Sequence, residues 1–91
     1  MAVNFPMVNL PHLDKMLRFL HVHHNQPGVL AAINEVFTEN GANITGQYLQ
    51  TEGDIGYVVM DIEPKVDAKI ILQNLKNIPG TIRSRMLNPL P

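Results

Sequence analysis

The chain has 91 residues, seven basic and eight acidic side chains, four histidines and no cysteine. One small domain of this length buries only about 60–65% of its unfolded surface, so a partner subunit would add stability. The composition excludes disulfides and thiolate metal sites, lacks the basic excess of nucleic-acid-binding proteins, and shows neither a signal peptide nor a membrane-spanning run, so we expect a cytoplasmic protein.

The chain is expected to open with a lead-in and then a strand. Residues 1–14 contain two prolines and no sustained hydrophobic period, which is typical of an extended linker. The folded domain is expected over residues 15–91. Its first element is the mostly apolar run 16–24, strand β1, on which His21 and His23 share one face.

An amphipathic helix, α1, is predicted behind Pro27, because apolar residues recur at helical spacing until Gly41 ends the pattern. Pro27 suits the first helical position, and Gly28 lets a ligand approach the backbone. The free N–H groups of the first turn would then face an anion such as a carboxylate. Asn25, just before this turn, is expected either to cap the helix or to contact the ligand.

A hairpin follows, since two apolar runs, 44–51 (β2) and 56–62 (β3), flank a turn that contains Gly53 and Asp54. A second helix, α2, is predicted because apolar residues again recur at helical spacing. Asp67 is its candidate cap, and a Pro-Gly pair is its stop. The last run, 81–87, favours a strand, β4, with Arg83 and Arg85 on its solvent face.

The order βαββαβ predicts a ferredoxin-like α+β fold: a four-stranded antiparallel sheet, order 4-1-3-2, with both helices on one face. The crossover rule further predicts that β1 and β3 are parallel neighbours and that β2 lies on an open edge. This edge could pair with the same strand of a second copy and form a homodimer.

Several short motifs, in order along the chain, carry a resemblance to a known family. They are Val-Asn-Phe-Pro at 3–6, His-Val-His-His-Asn-Gln-Pro-Gly-Val-Leu at 21–30, Gly-Ala-Asn-Ile at 41–44, Gln-Tyr-Leu-Gln-Thr at 47–51, Gly-Tyr-Val-Val-Met-Asp-Ile at 56–62 and Ile-Pro-Gly-Thr-Ile-Arg at 78–83. This pattern resembles the ACT domain, a small-molecule-binding regulatory module of amino-acid metabolism. Within that family it is similar to the C-terminal serine-binding domains of phosphoglycerate dehydrogenases.

The resemblance implies an amino-acid effector, L-serine, held between two domains by the β1–α1 loop of one and the start of β2 of the other. By motif position, the polar contacts are His23, Asn25 and Asn43. An amide both donates and accepts, which suits a zwitterion; His23 can donate to a carboxylate or a hydroxyl, and its exact role is left open. The remaining expected contacts are Pro27, Gly28, Val29, Leu30 and Ile44.

The resemblance implies neither a catalytic residue nor a cofactor. The parent enzymes are NAD-dependent dehydrogenases, and this chain has no G-x-G-x-x-G motif for a nucleotide. The chain is either an excised regulatory fragment that acts on dehydrogenase catalytic domains or a free-standing regulator.

Three other functions compete with effector binding. A zinc site is conceivable if His21 and His23 chelate the ion with a third ligand from another chain; otherwise His21 is interpreted as a solvent-facing or interface residue. RNA binding on this fold would stack bases on Phe19 and Tyr57. A structural dimerisation module without any ligand would show the same edge strand and the same polar helix start.

Overall fold

The computed structural model describes residues 16–87, and the predicted lead-in over 1–14 lies outside them. Six elements follow one another in the predicted order. They are β1 (Leu17–His24), α1 (Val29–Glu39), β2 (Ile44–Glu52), β3 (Ile55–Ile62), α2 (Ala68–Lys76) and β4 (Thr81–Met86). Every strand boundary lies within one residue of its prediction.

The four strands form one antiparallel sheet in the order β2-β3-β1-β4, which confirms the predicted topology and places β2 on an edge. The prediction that β1 and β3 are parallel is wrong, because they pair antiparallel, with Leu17 opposite Ile62 and His24 opposite Ile55. The reason is the split βαβ connection. Helix α1 returns the chain so that β2 runs parallel to β1, and β3 lies between these two strands.

The core lies between the sheet and the two helices. Phe19 of β1 packs edge-on against Phe37 of α1, with ring centroids 5.5 Å apart. The other fully buried side chains of this cluster come from both helices and from β3. They include Ile33, Val58, Met60, Ile62, Ile71 and Leu75. Because Phe19 is only 1% exposed, it is not available to stack on a base, which removes one support of the RNA-binding alternative.

The opposite face of the sheet carries a smaller apolar cluster of Leu20, Val22 and Val59. An ion pair joins β1 to β3 beside it. Arg18 donates through Nε and Nη2 to the two carboxylate oxygens of Asp61, at 2.7 and 2.8 Å. The Asp61 side chain is fully buried, and that of Arg18 is 19% exposed. Arg83 and Arg85 of β4 are exposed, as predicted.

Candidate ligand-binding site

The loop between β1 and α1 is fixed by its own backbone. The His24 N–H donates to the Gly80 carbonyl at 2.9 Å, and the Asn25 N–H donates to the Asp54 carbonyl at 2.6 Å. These bonds tie the loop to the turn before β4 and to the β2–β3 turn. The side chain of Asn25 is exposed at this end of the sheet.

Helix α1 begins later than predicted. Its first residue is Val29 and its N-cap is Gly28, which has φ 88°, a left-handed conformation that favours glycine. Pro27 therefore belongs to the preceding turn, and its prediction as the first helical residue is wrong. The left-handed conformation of Gly28 changes the direction of the chain between the turn and the first residue of α1.

The start of α1 is open. The N-cap, Gly28, has no side chain, and no other side chain, that of Asn25 included, makes a capping hydrogen bond. The first turn contains no acidic residue. Within residues 16–87, no acceptor bonds the amide N–H groups of Leu30 and Ala31. Unbonded amides at a helix start, reinforced by the helix dipole, are suited to a carboxylate.

His23 lies at this end of the sheet with its ring against Gly56, the residue opposite it in β3. A Cβ atom built on Gly56 would lie 2.9 Å from Cε1 of His23 and still closer to Nε2, so only glycine leaves room for the ring. The His23 side chain is 3% exposed. In the sequence, Gly56 was noticed only as part of a motif; the register between β1 and β3 is what places it against the histidine.

His21 is buried, with 1% exposure, so its interpretation as a solvent-facing or interface residue is wrong. Its Nδ1 lies 3.2 Å from Nδ1 of His23, and its Nε2 lies 2.9 Å from Oγ1 of Thr81 and 3.3 Å from the Leu75 carbonyl. Thr81 and Leu75 are partners that sequence reasoning missed. They belong to β4 and α2, far from His21 in sequence.

Burial lowers the pKa of both histidines, since removing an imidazolium from water is costly. The pKa of His21 falls to about 4, and the nearby His23 adds to this shift. The pKa of His23 is also lowered, first by burial and then by the charge of His24. Both rings are therefore neutral at pH 7. In residues 16–87, no third His, Cys, Asp or Glu completes a metal-binding group with them.

Asn43 lies at the other end of the sheet, where β2 begins. Its side-chain amide donates to the Glu63 carboxylate, and its carbonyl accepts from the Glu63 N–H at 3.0 Å. Strand β2 ends level with the end of β1, so about 25 Å separates Asn43 and the adjacent Ile44 from Asn25 at the usual rise of a strand. One chain thus brings His23, Asn25 and Gly28–Leu30 together, and leaves Asn43 and Ile44 apart from them.

The edge strand β2 is exposed along most of its length. Leu49, on its helix side, is 50% exposed, a high value for a large apolar residue on a strand. Edge strands of this kind are available for pairing with another chain. In the described part of the chain, no helix has the length and apolarity of a membrane span.

A family model described as an AHAS small subunit-like ACT domain matches residues 19–83. The chain is 56% identical over 87 residues to D-3-phosphoglycerate dehydrogenase of Escherichia coli K12, and 51% identical over 86 residues to that of Haemophilus influenzae. Each alignment covers 94% of this chain and 21% of the relative. The chain therefore spans about a fifth of the length of these curated relatives.

Among solved structures, the ACT domain from GTP pyrophosphokinase of Chlorobium tepidum has a similar fold. Its TM-score is 0.69 at 18% identity, and the superposition covers 82% of this chain and all of that one. Identity this low supports the fold alone.

Proposed function

This chain belongs to the ACT domain family, and from that membership we propose that it senses a free amino acid, L-serine, at the interface of a homodimer. Its relatives at 51–56% identity are D-3-phosphoglycerate dehydrogenases. We therefore infer that the domain regulates a dehydrogenase of serine biosynthesis, in the cytoplasm. It is a regulatory domain; catalysis belongs to the part of such enzymes outside the aligned fifth.

The observation that carries the proposal is the open start of α1 beside Asn25 and His23. A free amino acid has a carboxylate, which the amides of Leu30 and Ala31 are placed to receive. It also has an ammonium group, which needs acceptors, and side-chain amides supply them. The backbone bonds that fix this loop reduce the entropy that binding would cost.

The proposed homodimer is supported by the separation of the two proposed half-sites, which are the β1–α1 loop at one end of the sheet and Asn43 with Ile44 at the other. Antiparallel pairing of β2 with β2 of a second copy reverses the strand ends. The start of β2 in one copy then lies at the same end of the joined sheet as the β1–α1 loop of the other. The exposed edge and the half-exposed Leu49 support this pairing.

Regulation would operate through populations of two dimer states. A ligand that contacts both copies binds a closed dimer better than a loosened one, and attached catalytic domains feel the difference. The size of the effect equals the difference in affinity for the two states. A ligand as small as serine gains at most about 1.5 kcal/mol per heavy atom, so tight binding needs a partner for nearly every polar atom.

The first test is calorimetric titration of the chain with L-serine, with D-serine, glycine and L-alanine as controls, alongside sedimentation to measure its mass. We expect stereospecific, saturable heat with one ligand for each chain of a dimer. A folded dimer that releases no heat with any amino acid would replace this proposal with the ligand-free dimerisation module.

The second test asks whether the site is shared between copies. Asn25→Ala and Asn43→Ala chains are titrated separately, then after mixing and subunit exchange. In a shared site, each mixed dimer has one intact site and one doubly defective site, so an equal mixture recovers about one quarter of the sites at full affinity. A site contained in one chain would recover none.

A further inference from the structure

The turn after α2 has a fixed proton arrangement. Oγ1 of Thr81 lies 2.7 Å from the Ile78 carbonyl and 3.1 Å from the Leu75 carbonyl. Carbonyl oxygens only accept, so the single hydroxyl proton must be donated by Thr81, and the shorter distance assigns it to Ile78. The lone pairs of Thr81 then remain available to accept.

The same two oxygens determine the tautomer of His21. Its Nε2 faces Oγ1 of Thr81 at 2.9 Å and the Leu75 carbonyl at 3.3 Å, both acting as acceptors. Nε2 must therefore carry the proton and donate. A neutral imidazole carries one proton, so Nδ1 of His21 is left as an acceptor.

That acceptor determines the tautomer of His23. The two Nδ1 atoms are 3.2 Å apart, so one of them must donate to the other. Because Nδ1 of His21 accepts, Nδ1 of His23 donates. The remaining ring nitrogen, Nε2 of His23, then has a lone pair and no proton.

Nε2 of His23 has no hydrogen-bond partner within residues 16–87. Every buried side-chain nitrogen and oxygen there does have one, so Nε2 must reach the surface. It does so beside Gly56, at the end of the sheet that carries the β1–α1 loop.

We propose that Leu75, Thr81 and His21 form a hydrogen-bond relay that holds neutral His23 as its Nδ1–H tautomer and presents Nε2 to the ligand as an acceptor. His21 and Thr81 are positioning residues, since they act only through His23. The tautomer follows from the protein alone; its role toward an amino acid rests on the proposed function.

The reversed relay is disfavoured by the same contacts. It would need Thr81 to donate to Nε2 of His21, leaving the Thr81 and Ile78 oxygens at 2.7 Å with no proton between them. It would also turn the lone pair of Nε2 toward the Leu75 carbonyl. Two repulsive contacts in a buried site are costly, and the reversed relay forms no additional hydrogen bond that would offset them.

In this relay His23 accepts from the ligand, which differs from the donor role considered from the sequence. An acceptor at Nε2 repels a carboxylate and attracts a donor, either an ammonium group or a hydroxyl. The carboxylate is thereby directed to the amides of Leu30 and Ala31. The orientation of the ligand in the site then depends on which atoms of Thr81, His21 and His23 carry the protons.

Long-range proton–nitrogen NMR on the ligand-free chain tests the relay directly at pH 7. We expect a protonated Nδ1 and an unprotonated Nε2 for His23, and the opposite pattern for His21. Neutral histidine in water favours the Nε2–H form, so the result for His23 departs from the default. A protonated Nε2 on neutral His23 would overturn the proposal, whatever the ligand.

Variants separate positioning from structure. His21→Phe keeps the ring volume but removes the acceptor, so we expect His23 to shift to the Nε2–H form and L-serine affinity to fall about tenfold, with the amide spectrum otherwise retained. His24→Gln, a change at an exposed neighbour, is the matched control and should leave the tautomer unchanged. An unchanged His23 tautomer in folded His21→Phe would contradict the relay.

Ligand analogues identify the donor and keep the two proposals apart. Equal binding of L-alanine and L-serine indicates that the ligand's ammonium group donates to Nε2 of His23. Loss of affinity with both L-alanine and O-methyl-L-serine indicates that the hydroxyl donates. Both outcomes agree with an acceptor at Nε2. Full affinity for O-methyl-L-serine with loss for L-alanine would require a donor there and refute the relay. The expected tautomer without any amino-acid binding would retain the relay and refute the proposed function.

Discussion

The two helices begin in opposite ways. Helix α2 is closed by its own sequence: Asp67 is the N-cap, and its carboxylate accepts from the amides of Lys69 and Ile70 at 3.1 and 3.3 Å. Helix α1 has Gly28 in that position and no side-chain cap at all. The same physical need, an acceptor for free amides, is met inside the chain at one start and left unmet at the other.

Under the proposed function, this difference separates a helix start that serves stability, that of α2, from one that would receive the ligand, that of α1. A cap stabilises a helix by about 1 kcal/mol, so omitting one costs stability unless something else occupies the position. A ligand carboxylate would occupy the start of α1 as Asp67 occupies that of α2. The stability that α1 lacks in the free protein would then be recovered as affinity for the ligand.

The largest expected effect is acid destabilisation through His21, whose buried ring contacts Leu75 of α2 and Thr81 of β4. The folded-state pKa of His21 is about 4 against 6.5 in the unfolded chain, so the unfolded chain takes up a proton first as pH falls. The stabilisation is fully present above pH 6.5 and is lost between 6.5 and 4, a total of about 3 kcal/mol. The lowered pKa of His23 acts in the same direction.

Urea unfolding at pH 7 and pH 4 measures this loss. The His21→Phe chain is the control, because carboxylates also titrate in this range and their contribution cancels in the difference. The variant should lose about 3 kcal/mol less than the wild type. An equal loss in both chains would show that His21 is not the acid-sensitive group.

The next largest effect is on affinity at the open start. Asn25→Ala and Asn43→Ala should each weaken L-serine binding by about 1–3 kcal/mol, because a ligand polar group is left without its partner. Both side chains are exposed, so the free energy of unfolding should hardly change. Asn74→Ala, an exposed site on α2, is the matched control. Unchanged affinity in both variants would reject the assigned site.

A smaller effect is expected from strain at the junction. Gly28→Ala should reduce the free energy of unfolding by about 1–2 kcal/mol, since φ 88° is unfavourable for a residue with a Cβ. A Cβ there meets no atom within 4 Å, so the cost is conformational and not steric overlap. Gly28→Asn should cost less, because asparagine tolerates this region. If thermal unfolding shows the same loss of stability for Gly28→Ala and Gly28→Asn, backbone strain is not the cause.

The smallest effect is at the closed start. Asp67→Ala should lower the free energy of unfolding by about 1 kcal/mol through loss of the cap and leave L-serine affinity unchanged. Asp67→Asn retains an acceptor and should recover most of the loss. A change in affinity on either substitution would remove the distinction between the two helix starts.

Local chemistry made most of the fold predictable. The hydrophobic period, together with glycine and proline, identified all six elements. Asp67 was predicted as a cap because an aspartate before a helical pattern accepts from backbone N–H groups only two or three residues later. The β2–β3 turn was predicted from Gly53 and Asp54 for the same reason, since both act on their own neighbours.

The remaining features depend on distant partners. His21 looked like a surface residue because its acceptors, Leu75 and Thr81, lie 54 and 60 residues away and only the fold brings them near. The predicted direction of β1 relative to β3 was wrong because the crossover through α1 makes β1 parallel to β2, and β3, which lies between them, pairs antiparallel with both. Asn25 and Asn43 were expected to meet only across two copies, and a single chain holds them at opposite ends of the sheet.

The ion pair between Arg18 and Asp61 also acts on the alignment of the two central strands as the chain folds. These residues are directly opposite each other, 43 positions apart in sequence. A slip of one residue between β1 and β3 would turn Asp61 to the apolar face and bury its carboxylate without a cation, at a cost of several kcal/mol. The ion pair therefore specifies the register between β1 and β3. Val58 and Val59 cannot do so, because a one-residue slip replaces one valine with another.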